Sequence, residues 1–355
     1  MSKSNSKVTI QDIAQKANVS IATVSRVLNH SNTVRKATAI RVLTAAHEIG
    51  YSLNYNNQTD DTLLETKESF APASSETSIR PILIFAPTLL NPFYGPVIEG
   101  IKSAAANNKQ RCFIHPVDIS FYNSEHLIEL IHASNIGGII SFTLTTESII
   151  SAVSSQIPIV QCCEANNSDL ISSVSIDDTE SVLIAMNHIF STGKKRVGLI
   201  NGPLTYKYAR DRRAAYLRAM EESNLPISPN WIIQLPDNDV DMAYSSVIQL
   251  LSGVNAPNAF FATSDIFAAA AIRAITHAGL RVPEDVIVVG FDDIDLAKLN
   301  TPSITSISQP AFRMGYVAFE LLMERISTPN NPVKHIKMDT RIIIRESSYS
   351  QFSGL

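Results

Sequence analysis

A small all-α helix-turn-helix headpiece followed by an α/β body of two doubly wound parallel sheets is the fold class this sequence predicts. Three observations predict it. Two short helical patterns joined by a tight turn occupy residues 9–29. A polar stretch rich in Asn, Thr, Ser, Asp and Glu follows over 52–78. From residue 80 onward, apolar runs of strand length alternate with helical patterns, and that rhythm runs through twice. A chain of 355 residues is too long for one ordinary core. The expected organisation is a headpiece over 1–51, a polar linker over 52–79 and a two-lobed body over 80–355.

In the headpiece, Thr9 followed three residues later by Asp12 is a capping-box start. Ile10, Ile13 and Ala17 then share one helical face. Asn18 suits the left-handed conformation that ends a helix, and Ser20 is a second N-cap. Val24, Val27 and Leu28 form the buried stripe of a second helix, which leaves Ile21, Ala22, Ser25 and Arg26 outward. That outward side is the one a helix-turn-helix lays in a DNA major groove. A bare helical hairpin packed on a larger domain has the same pattern. A third helix is expected over 36–49, stopped by Gly50, and the small core is expected to contain Ile10, Ile13, Val24, Val27, Leu28, Val42 and Leu43.

In the body, strands are expected at 82–86, 112–117, 138–142, 157–162, 196–200, 231–235, 259–262 and 286–291. Helices are expected at 94–107, 127–133, 181–190, 210–223, 242–251 and 266–278. Strand–helix alternation of this kind makes parallel sheets with helices on both faces. Ligands then bind beyond the carboxyl ends of the strands, here in the cleft between two lobes.

Charge is unevenly spread. Residues 1–51 carry seven Lys/Arg against Asp12 and Glu48, a net of +5, while 52–79 carry −4 and 80–355 carry −5. A basic head on an acidic body fits a nucleic-acid-binding end on something that does not bind nucleic acid. The three cysteines, Cys112, Cys162 and Cys163, make no disulfide framework and suit a reducing compartment. The N-terminus lacks an apolar signal region and no apolar run has the length of a membrane span, so a soluble, cytoplasmic protein is expected. There is no Gly-rich phosphate loop with Lys, no nucleophile elbow and no His/Cys cluster at metal spacing, so neither catalysis, a metal nor a cofactor is expected. A redox role for Cys162-Cys163 is the exception the residues leave open, against the commoner reading of buried strand cysteines.

The order T-I-x-D-I-A-x-x-A-x-V-S-x-A-T-V-S-R-V-L-N from Thr9 to Asn29, closing on Ile49-Gly50-Tyr51, resembles the headpiece of the lactose/galactose-repressor family. The resemblance implies a transcriptional regulator, most simply a repressor, that binds double-stranded operator DNA. It places Ile21, Ala22 and Arg26 at base-reading positions. Ser20, Thr23, Ser25 and Asn29 fall at phosphate-contacting positions, and Thr9 joins the DNA-facing set. The chemistry agrees: Arg binds guanine bidentately, small apolar groups meet a thymine methyl, and hydroxyls, amides and a helix N-terminus suit phosphate. The family's minor-groove leucine position is occupied by Asp60, and the linker is longer than usual. A carboxylate facing the groove would be repelled, so the usual hinge helix is not expected to form.

The body resembles the same family's effector domain, which is similar to periplasmic sugar-binding proteins. The landmarks are Asn91-Pro92-Phe93-Tyr94, Ile176-Asp177-Asp178, Gly202-Pro203, Arg212, Ser264-Asp265, Gly290-Phe291-Asp292-Asp293 and the segment 305–310. Within the family, the run 290–296 and Gln309-Pro310 are most similar to the cytidine-repressor branch. The resemblance implies an effector in the cleft, a nucleoside, purine or sugar, with Phe93, Tyr94, Glu164, Arg212, Ser264 and Asp292 as its contacts. Phe93 and Tyr94 offer aromatic faces, Arg212 a fork of donors and Asp292 two acceptors. Taken by residue type alone, Phe93 also suits a core, Arg212 a salt bridge and Asp292 a turn cap. Asp177 and Asp178 are expected to cap the helix that begins near Glu180. A homodimer is expected, because two headpieces must be joined to read a two-fold operator, and the apolar helices beginning near Tyr94 and Ile266 suit its interface. A plain solute-binding protein is the rival reading, but it should carry a signal peptide and no headpiece.

Overall fold

The computed structural model describes residues 9–28, 38, 42, 45, 80–166 and 168–349, with Arg26 and Leu28 described by their backbone alone. The chain divides into two compact units, Met1–Pro72 and Ala73–Leu355.

In the first unit, α1 (Ile10–Ala17) opens on the expected capping box. The Asp12 amide donates to Thr9 Oγ1 at 3.4 Å, and the Thr9 amide donates to Asp12 Oδ2 at 2.7 Å. The Thr9 hydroxyl, 2.7 Å from Asp12 Oδ2, and then the Thr9 amide hold the Asp12 carboxyl below its ordinary range. Asn18 ends the helix at φ 50°, its amide reaching the Ala14 and Gln15 carbonyls. Ser20 Oγ accepts from the Thr23 amide at 3.2 Å and so caps α2 (Ile21–Leu28). Ile13, Ala14, Ala17, Val24, Val27, Val42 and Ala45 form the core, and Ile10 packs against it. Of the expected third helix, Thr38, Val42 and Ala45 are described and each is helical; Leu43, Asn29 and the expected hinge lie outside the described residues.

Among its described residues, the second unit holds two six-stranded sheets. The first comprises β1 (Ile82–Phe85), β2 (Cys112–His115), β3 (Gly138–Ser141), β4 (Ile159–Cys163), β5 (Ser172–Ile176) and β11 (His335–Met338), in the order β11-β5-β4-β3-β1-β2. All its pairings are parallel. The second comprises β6 (Val197–Asn201), β7 (Ile232–Gln234), β8 (Ala259–Ala262), β9 (Ile287–Asp292), β10 (Thr305–Ser308) and β12 (Arg341–Ile343), in the order β12-β10-β9-β8-β6-β7. Only its β12 edge pairs antiparallel. β1, β3, β6 and β8 are buried along their whole length, as parallel strands covered on both faces must be.

Helices cover both sheets. Around the first lie α3 (Tyr94–Asn107), α4 (Ser124–Ala133), α5 (Glu147–Ser154) and, later in the chain, α11 (Ala311–Ser327). Around the second lie α6 (Asp178–Ser191), α7 (Lys207–Glu222), α8 (Val240–Leu251), α9 (Asp265–His277) and the short α10 (Asp295–Leu299). The chain crosses between lobes after β5, after β10 and after β11, so neither lobe is one continuous stretch. In each sheet the strand order reverses once, at β1 and at β6. The carboxyl ends of those two strands are the topological switch points where such sheets bind ligands. Among the described residues no helix is long and apolar enough to cross a membrane.

The apolar face of α3 is used inside the chain, against α11. A Cβ on Gly100 would lie 1.9 Å from the Phe312 carbonyl oxygen, and one on Gly315 would lie 1.9 Å from that of Val97. The two backbones touch, and neither can give way as a flexible side chain would. Gly100→Val is expected to lower stability by about 3 kcal/mol or more, since over-packing against backbone exceeds the usual core penalty. A thermal midpoint within about 1 °C of wild type would show that the helices separate freely.

Candidate functional site

Both switch points carry aromatic pairs. After β1, Phe93 and Tyr94 open α3, but their rings are mostly buried, at 7% and 9% exposure. Tyr94 stacks on Phe142 with ring centroids 5.2 Å apart. Both rings pack in the core cluster, and Phe142, just past β3, covers that of Tyr94. The Tyr94 phenol still lies near Cys163, Glu164, Tyr206 and Tyr208, and burial together with these groups pushes its pKa well up. After β6, Tyr206 and Tyr208 stack on each other, 5.5 Å apart and 22° from parallel. Gly202 makes room for them, since a Cβ there would lie 3.0 Å from the Tyr208 hydroxyl.

Arg212 sits on the inner face of α7 between Ala209 and Ala215, whose small side chains leave space for it. It is 5% exposed. Its Nε donates to Asp178 Oδ1 at 2.8 Å, and its Nη1 donates to the Thr263 carbonyl at 2.7 Å and lies 3.7 Å from Asp292 Oδ1. The guanidinium carbon is 3.5 Å from the Phe291 ring centre and 4.9 Å from that of Tyr208. Burial works against its charge, and Asp178 and Asp292 outweigh that, so its pKa rises. The expectation that Asp178 caps α6 is corrected here. Asp177 alone is the N-cap, accepting from the Glu180 amide at 3.1 Å, and Asp178 faces Arg212. Asp177 also pairs with Lys337 at 2.6 Å.

Asp292 ends β9 at φ 104°, and Asp293 follows at φ 58°. Cys163 ends β4 at φ 79°. Non-glycine residues in this region carry about 1–3 kcal/mol of strain each and concentrate at working sites. Asp292 Oδ1 accepts from Gln309 Nε2 at 2.7 Å. Burial pushes its carboxyl up to about 7, with Arg212 and Gln309 pulling the other way and Asp178 adding to the rise. Ser264 Oγ accepts from the Phe267 amide and caps α9. Next to it, Asp265 is fully buried and accepts from Ser306 Oγ at 2.6 Å and the Ile294 amide at 2.9 Å. Burial and the nearby Asp292 raise its pKa well above the ordinary carboxylate range.

Glu164 follows β4 in the first lobe and accepts from the Tyr208 amide in the second at 2.9 Å. Burial raises its pKa, against the bond from Tyr208. A cavity of about 440 Å³ opens beside it, walled by Cys163, Glu164, Asp178, Lys207, Tyr208 and Lys337 among others. That volume suits a small polar ring compound. Of the expected contacts, Glu164 is on the wall. Arg212 and Asp292 stand behind Asp178 and Tyr208, Phe93 and Tyr94 are core, and Ser264 is a helix cap. Tyr206, Tyr208 and Gln309 were not among the expected contacts. The aromatic run Tyr206-Lys207-Tyr208 after a strand end is the signal for the first two, and Gln309 stands in the Gln309-Pro310 match without a role being read for it. Cys162 and Cys163 are free thiols with sulfurs 3.8 Å apart. Burial first, then Cys162, raises the Cys163 pKa well up, which disfavours the reactive thiolate.

Residues 9–54 match the bacterial regulatory proteins of the lacI family, and 186–348 match a periplasmic binding protein-like domain. The chain is 30% identical over 348 residues to the HTH-type transcriptional repressor CytR of Escherichia coli (strain K12), covering 98% of each. An uncharacterized protein from Actinobacillus succinogenes superposes with a TM-score of 0.71 at 31% identity, over 76% of this chain and 100% of that one. The transcriptional regulator CelR in its cellobiose complex superposes with a TM-score of 0.67 at 24% identity, over 96% of this chain and all of that one, a likeness of fold.

Proposed function

We infer that this chain, which belongs to the lacI family of bacterial regulatory proteins and is a ligand-responsive, DNA-binding transcriptional repressor, takes its effector in the cleft between the two lobes of its body. The observation that carries the reading is the buried Arg212, held between Asp178 and Asp292, with Asp178 on the wall of a 440 Å³ cavity that Glu164 lines from one lobe and Tyr208 from the other. The effector is a nucleoside, purine or sugar. Its ring packs near Tyr208, its donors go to Glu164 and Asp178, and Arg212 fixes Asp178 while Asp292 holds Arg212 from behind. Phe93 and Tyr94 form the floor beneath, and Ser264 holds α9 in place. A ligand shifts operator affinity only by favouring one state of the protein over another. The protein acts in the cytoplasm as a homodimer.

On the DNA side, α2 supplies the reading surface. Ile21 is 50% exposed and Ala22 is exposed, which leaves both available to base edges. Arg26 is the base-reading cation, Ser20, Thr23, Ser25 and Asn29 take phosphates, and Thr9 belongs to the DNA-facing set. Arg26→Ala is expected to cost about 1–3 kcal/mol of operator affinity and to relax preference at one base pair, measured on a panel of single-base operator variants. Uniform weakening across the panel would instead make Arg26 a phosphate contact.

A further inference from the structure

The first turn of α7 is capped by a residue of the opposite lobe. Tyr206 occupies its N-cap, and its side chain makes no capping bond. The amides of a helix's first turn need acceptors, and a helix N-terminus draws negative charge. Glu164, from the loop after β4, supplies that acceptor through its bond from the Tyr208 amide at 2.9 Å, and it is 8% exposed. A carboxylate of the protein thus sits where a phosphate or carboxylate of a ligand would otherwise settle.

The surrounding charge points the same way. Asp177, Asp178, Glu180 and Asp211 share the cavity wall with Glu164, against Lys207 and Lys337. Lys207 is paired with Asp211, and Lys337 with Asp177. Behind the wall, Arg212 is shared by Asp178 and Asp292. Each of these cations is committed, and the carboxylates outnumber them.

We propose that Glu164 decides the charge of the effector: by holding the N-terminus of α7 from across the cleft, it makes the site select neutral or cationic, donor-bearing ligands and reject phosphorylated ones. The proposal rests on the reading of the cleft as the effector site. A bound donor group is satisfied by Glu164 and Asp178, whereas an anion meets a like charge at close range.

The full-length protein tests this with paired probes, cytidine and cytidine monophosphate, adenosine and adenosine monophosphate, ribose and ribose phosphate, titrated calorimetrically into wild type, Glu164→Ala and Glu164→Gln. Whichever neutral member binds, its phosphorylated partner is expected to bind wild type roughly 100-fold more weakly. Glu164→Ala should narrow that gap about tenfold, and Glu164→Gln, which keeps an acceptor without the charge, should narrow it in part. Equal binding of both members by wild type, or a gap unchanged in both variants, overturns the proposal. Inorganic phosphate at constant ionic strength gives an independent arm, read by thermal unfolding. It should stabilise Glu164→Ala, or Glu164→Gln if the alanine variant does not fold, and not wild type. Equal stabilisation of wild type and variant also overturns the proposal. If no organic probe binds while phosphate remains selective for the variant, the effector reading of the cleft fails and the charge filter stands.

Discussion

Arg212→Ala lowers the stability of the two-lobed body by about 3–5 kcal/mol, the range for breaking a buried ion pair from one side. Three losses coincide. Asp178 and Asp292, 12% and 9% exposed at their side chains, lose their counter-charge. The Thr263 carbonyl loses its donor. The Phe291 ring loses the guanidinium lying on it. A body of this size should lose roughly 10 °C in its thermal midpoint. Arg212→Lys is expected to recover less than half of that loss. One ammonium cannot meet Asp178 and the Thr263 carbonyl from two fixed directions and also lie flat on an aromatic ring. Thermal denaturation of the full chain checks both variants. An alanine variant as stable as wild type would mean that water satisfies the two aspartates, and that the arrangement is not a built one.

Asp292→Asn is expected to separate stability from function. Burial raises the Asp292 carboxyl to about 7 in the folded protein, against an ordinary value of 3.8. The folded state therefore holds a proton that the unfolded chain releases earlier. The contribution to stability is full below about pH 4 and is lost as pH rises through about 7. Wild type should weaken over that interval. The asparagine variant, with Gln309 still donating to its side-chain oxygen, should lack this part of the slope and be more stable than wild type at about pH 8, by about 1–3 kcal/mol. Asp265 and Glu164, raised by burial in the same way, leave a residual slope in both proteins, so the difference between the two pH profiles isolates Asp292. Effector binding should fall by at least about tenfold, because Arg212, which holds the wall carboxylate Asp178, loses its second charged partner. A variant less stable than wild type at every pH would show that Asp292 is an ordinary paired carboxylate.

Much of the fold is legible in the sequence, for physical reasons. Strands β1, β3, β6 and β8 are covered on both faces, so they read as unbroken apolar runs. The caps of α1 and α2 are local chemistry, and Thr9, Asp12, Asn18 and Ser20 act as their residue types suggest. β5 is not legible, because three of its five residues are serines. Two of them are buried by bonding to the neighbouring edge, Ser172 accepting from the Lys334 amide and Ser173 meeting His335. α11 escapes the alternation because the chain returns to the first lobe after β10, a long-range choice that the close helix approach at Gly100 and at Gly315 makes possible. The site divides in the same way. Asp292 and Arg212 stand out by motif, but Asp178 looks like a second helix cap until Arg212 arrives from 34 residues away. The aromatic faces were expected after the first switch point and occur after the second, because Phe142 claims the Tyr94 ring.

Coupling between the proposed effector cleft and operator binding is read from the operator affinity of the full chain. A nucleoside, purine or sugar that stabilises wild type on heating should shift its operator Kd by at least about fivefold at saturation. Asp292→Asn should bind the free operator as wild type does, and the same ligand concentration should move its operator Kd by less than about twofold. A ligand that fills the cleft and leaves wild-type operator Kd unchanged, or a shift that persists undiminished in Asp292→Asn, would show that the cleft does not govern operator binding.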